Sequence, residues 1–62
     1  MLCKYHYITK KNEKVGPYFC DIADFKAFWK AKGNQLLYCQ IEIKNLKETW
    51  IYVDGRKWTL VK

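Results

Sequence analysis

The chain predicts an α+β fold: an N-terminal strand or hairpin, one helix, then a three-stranded antiparallel meander with the helix packed on one sheet face. Three observations carry this expectation. Apolar and polar residues alternate along Leu2–Thr9 and again along Leu36–Ile43, as half-buried strands require. Between them, Ile22, Phe25, Phe28 and Trp29 recur at helical spacing. Asp54-Gly55 then separates two further alternating stretches, a strong hairpin signal. The 62 residues are read as one small domain, which at this size buries only about 60% of the surface its unfolded chain exposes.

In the first strand Cys3, Tyr5 and Tyr7 share one face, with Lys4 and His6 on the other. Residues 10–17, KKNEKVGP, are dense in charge and turn formers and predict a solvated loop, followed by a short second strand at residues 18–20. Asp21 is placed to cap a helix beginning at Ile22, and Asp24 adds negative charge where the helix dipole is positive. Ile22, Phe25, Phe28 and Trp29 fall within an arc of about 120°, flanked by Lys26 and Lys30 and opposed by Ala23, Ala27 and Ala31. Gly33-Asn34 predicts a left-handed stop. In the next strand Leu37, Cys39, Ile41 and Ile43 are expected on the core face, and the last two strands near residues 49–53 and 57–61.

Register decides what the aromatic C-terminal stretch does, because a one-residue slip moves every ring across the sheet. A two-residue Asp54-Gly55 loop makes Ile51, Val53, Trp58 and Leu60 share a face. A preceding three-residue turn, Asn45-Leu46-Lys47, pairs Lys44 with Glu48 and joins Ile41 and Ile43 to that face toward the helix, which leaves Tyr38, Trp50, Tyr52 and Lys57 on the open face. A bulge at Gly55 with a four-residue turn, Asn45 to Glu48, instead turns Trp50, Tyr52 and Trp58 to the core. The first is favoured, since it keeps Lys57 from the core and uses the commonest hairpin.

Function follows from composition and from that open face. Three Trp, five Tyr and three Phe are a large aromatic load for so small an interior. Twelve Lys/Arg against six Asp/Glu give a net charge of +6, which attracts an anionic partner. Tyr38, Trp50 and Tyr52 are the expected anchors, with Lys57, Arg56, Lys10, Lys11 and Lys14 as the accompanying cations. Such a face suits an acidic protein partner or the seam of a homodimer. It also suits a nucleic acid or nucleotide, whose bases stack on rings. Eleven lysines to one arginine argue against sequence-specific DNA reading, which relies on bidentate arginine.

Chemistry is mostly excluded. Serine is absent, His6 is the sole histidine, and the three glycines are isolated, so neither a serine triad nor a phosphate-cradling loop is expected. Cys3, Cys20 and Cys39 form no CxxC and are odd in number; they are read as packed thiols, with no metal and no cofactor. Charges interrupt the N-terminal stretch and no long apolar run occurs, so neither a signal peptide nor membrane contact is expected. The unpaired cysteines suit a reducing cytoplasm and the missing catalytic motifs a non-enzymatic protein. In size and in its lysine and tyrosine content the chain resembles the small accessory proteins with which phages and mobile elements disable host factors. That resemblance implies an inhibitor and is one of class, carried by no motif.

Overall fold

A computed structural model describes residues 1–61. Its elements are β1 (Leu2–Thr9), β2 (Lys14–Asp21), α1 (Ile22–Lys32), a 3-10 turn (Gly33–Gln35), β3 (Leu36–Ile43), β4 (Glu48–Val53) and β5 (Thr59–Val61). The strands form one antiparallel sheet in the order β2-β1-β3-β4-β5. The class is α+β, with five strands and one helix packed against them. Both β2 and β3 run opposite to β1, so they are parallel to each other and the chain joining them must cross over β1. α1 is that crossover. β4 and β5 therefore have no helix of their own.

Local chemistry explains the helix boundaries. Asp21 has extended backbone and its Oδ2 accepts a hydrogen bond from the Ala23 amide at 3.1 Å, while Lys30 and Lys32 sit at the negative end of the dipole. The aromatic stripe faces the sheet: Phe25 packs edge-on to Tyr5 at 5.0 Å, and Phe28 lies 5.0 Å from Tyr7. Cys3, Phe25, Leu36, Cys39 and Ile41 form the buried core, surrounded by half-buried rings.

Four expectations need correction. The solvated loop is confined to the turn after β1, since Lys14–Pro17 belong to β2. This edge strand absorbs Gly16, at φ 107°, and Pro17 as an irregularity between the Tyr5–Tyr18 and Tyr7–Val15 pairs. Gly33 is no left-handed stop; its φ of −59° is right-handed and the chain turns on into the 3-10 segment. Leu36, 2% exposed, is the buried leucine and Leu37, 37% exposed, faces out, because the pairing of β1 with β3 slips between Ile8 and Thr9 and shifts the pleat.

The fourth is the register of the aromatic hairpin. Trp50 stands opposite Ile41 and Leu60, and Tyr52 opposite Cys39, so both rings are on the helix side while Ile51 and Val53 are on the open face. Lys44–Lys47 make the β3–β4 turn, and Glu48 pairs with Ile43 rather than Lys44. Val53 and Arg56 close a turn around Asp54 and Gly55, the latter at φ 80°, but the ladder resumes only at Thr59. Lys57 and Trp58 thus lie outside the strands, and Lys57 stays in water although Trp50 and Tyr52 face the core. With that cost removed, ring burial wins. Each aromatic side chain covers about 150–250 Å², more than Ile51 or Val53 could.

Candidate functional site

The open-face set assembled from the sequence does not share a surface. Tyr38 is on the open face, where its hydroxyl donates to Gln40 Oε1 at 3.0 Å and its ring lies 6.1 Å from His6. Trp50 and Tyr52 are on the other side of the sheet. Tyr52 meets Trp29 at 4.7 Å and Trp58 at 5.6 Å, which makes it part of the packing under α1.

What the fold creates instead is a groove beside α1. Because the crossover lies over β1, the helix-side faces of β3 and β4 run out from beneath it, and a concavity of about 310 Å³ opens there. Ile41, Ile43 and Trp50 come from the sheet and Ile22, Phe25 and Trp29 from the helix, with Trp58 against Trp29 at 4.8 Å. Ile22, Lys26 and Lys30, at i, i+4 and i+8, line it along one stripe of α1, about 12 Å long at the helical rise. The Trp50 indole N–H is already donated to Glu48 Oε1 at 3.2 Å, so this polar atom is not free for a ligand. The groove is an apolar trough with two exposed lysines on its helical rim. Its volume is at the lower end of the range for small-ligand sites, about 300–1,000 Å³. The molecule also exposes more surface than its size requires: 4601 Å² against about 4,250 Å² expected for 7.5 kDa.

The lysines and the arginine dispersed along the sequence are partly gathered by the fold. The Lys10 amide donates to the Gln35 carbonyl, the Asp54 amide to the Leu37 carbonyl, and Lys10 Nζ lies 3.9 Å from Asp54. The β1–β2 turn, the helix C-terminus and the β4–β5 turn therefore meet at one end of the sheet. That end carries exposed Lys10, Lys11, Lys14, Lys32, Arg56 and Lys57 against Glu13 and Asp54.

Cysteine and histidine are separated in a way that limits chemistry. Cys3 and Cys20 are cross-strand neighbours with sulfurs 3.8 Å apart, whereas His6 projects to the open face beside Tyr38. Burial pushes the Cys39 thiol up to about 12. Burial and then the hydrogen bond with Cys20 push Cys3 up to about 11. Among the described residues no three His, Cys, Asp or Glu side chains converge as metal ligands, and no helix is long and apolar enough to cross a membrane.

Sequence reasoning found the groove's parts without its whole. The lysines flanking the aromatic stripe were visible, but nothing local says that the helix sits over β1 rather than centrally over the sheet. Comparison with protein-family models, curated proteins and solved structures finds no match to this chain.

Proposed function

We propose that the chain is a non-enzymatic protein-binding module that holds apolar side chains of an acidic partner in the groove beside α1. The observation that carries this reading is the groove's polarity: apolar walls and floor, with cationic charge only at the rim. A nucleobase would bring several donors and acceptors into that trough, each costing about 1–3 kcal/mol if left unpaired, whereas a leucine or phenylalanine leaves nothing unsatisfied. The rim lysines and the net charge of +6 select an acidic partner and speed the encounter. The buried, neutral Cys3 and Cys39 thiols and the placement of His6 on the opposite face of the sheet support a role without catalysis. Occupying a surface of a larger assembly, as an inhibitor of the phage or mobile-element class does, is the biological role this reading implies.

Affinity capture from the native cell tests it. Capture of a protein that survives nuclease treatment and is lost from the Lys26→Glu/Lys30→Glu variant is the expected result, with the variant's melting temperature close to that of the parent because both lysines are exposed. Capture that nuclease abolishes, or that the double reversal leaves intact, overturns the reading.

A further inference from the structure

We infer that the occupant of the groove is an acidic amphipathic α-helix of the partner, lying alongside α1 and completing the second layer over β4. The inference rests on the protein-binding reading above and goes beyond it by naming the shape and charge of the ligand. Five strands spaced about 4.8 Å apart span about 19 Å between outermost axes, whereas one helix covers a width of about 10 Å. α1 supplies one such cover, and the β2–α1–β3 crossover holds it over β1. On the same face, the span from Ile41 and Ile43 of β3 across Trp50 of β4 to Leu60 of β5 is two strand spacings, about 10 Å, the width of one helix. The groove's length along Ile22, Lys26 and Lys30 matches two apolar turns, the i, i+3, i+4, i+7 pattern by which helices dock in grooves.

Two other occupants fit less well. A strand added to β5, whose ladder is only Thr59–Val61, would widen the sheet and leave the space above Trp50 empty. A second copy would present its own α1, in which Lys26, Lys30 and Lys32 outnumber the single acid Asp24, to the same lysines. An acidic helix meets Lys26 and Lys30 along its flank instead, and Arg56 and Lys57 stand at the end of the sheet toward which the helix C-terminus points.

The test uses the full chain and three synthetic peptides of about 18 residues, long enough for four to five turns. One carries leucine at i, i+3, i+4 and i+7 with glutamate on both flanks; the second scrambles that composition; the third keeps the stripe but has a central proline. The first peptide is expected to bind saturably, to gain helicity by circular dichroism, and to shift the amide signals of Lys26, Trp29, Lys30, Ile43, Trp50 and Trp58. Its affinity is expected to fall about tenfold on Lys26→Glu/Lys30→Glu, because two reversals turn attraction along the rim into repulsion, and to return when lysine replaces glutamate on its flanks. The scrambled and proline peptides are expected to be at least about tenfold weaker, since proline inside a helix removes a hydrogen bond and clashes. Equal binding of all three overturns the helical occupant while leaving a protein ligand in place. Failure of all three, or signal changes confined to the open face, overturns the inference outright. Whether the groove reading falls with it is decided by the capture experiment, which uses none of the peptides.

Discussion

Gly33 is a small residue because of a ring. A methyl group built there would lie 2.8 Å from Cδ2 and Cε2 of Trp29, and that indole is held in turn by Tyr52 and Trp58. The backbone angle suits alanine, yet Gly33→Ala is expected to cost about 1–3 kcal/mol by overpacking, read as a lowered urea midpoint. An unchanged midpoint would mean that Trp29 can move away. The thiols give a second prediction at this scale. Cys39 and Cys3, pushed up to about 12 and about 11 from 9.0 mainly by burial, are held neutral by the fold. Tyr5 and Tyr7 are pushed up in the same way. Stability from these groups is fully present below pH 9.0 and is lost as pH rises from there toward 12. The expected denaturation midpoint is therefore flat up to pH 9.0 and falls above it. At pH 8 burial keeps Cys39 in its unreactive thiol form and out of reach, so mass spectrometry after brief alkylation should find half-buried Cys20 labelled and Cys39 untouched.

At the scale of elements, α1 and the β4–β5 hairpin are mutually dependent. Phe25, 6% exposed, touches Tyr5 on one side and Trp29 and Trp58 on the other, so Phe25→Ala is expected to cost roughly 3–5 kcal/mol and leave the chain largely unfolded. Trp50→Ala with Tyr52→Ala should do the same, because both rings are on the helix side. Ile51→Thr, on the open face between them, should cost about 1 kcal/mol or less. Thermal melts followed by circular dichroism separate the cases. A folded Trp50/Tyr52 double variant beside an unfolded Ile51→Thr would restore the two-residue hairpin register.

For the whole molecule, charge and coverage are both uneven. The basic end formed by Lys10, Lys11, Lys14, Arg56 and Lys57 lies away from the acidic start of α1 at Asp21 and Asp24. Replacing Lys10, Lys11 and Lys14 by Glu is expected to slow association with the partner by about tenfold at low salt, with dissociation and melting temperature little changed. Stopped-flow tryptophan fluorescence at two salt concentrations measures this; an unchanged association rate would show that the basic end does not steer the partner. The sequence alone determined the α+β class, the spans of β1, α1 and β3, the Asp21 cap and the aromatic stripe of the helix. These depend on periodicity and on bonds between residues close in the chain. Only the tertiary structure decided that Gly33 makes room for Trp29, that Leu36 and not Leu37 is buried, and which face Trp50 and Tyr52 take. Both faces of β4 are hydrophobic, Trp50 and Tyr52 on one and Ile51 and Val53 on the other, so alternation alone cannot orient the strand. The choice falls to whichever side chains best fill the space that the crossover helix leaves, and that space also makes the groove.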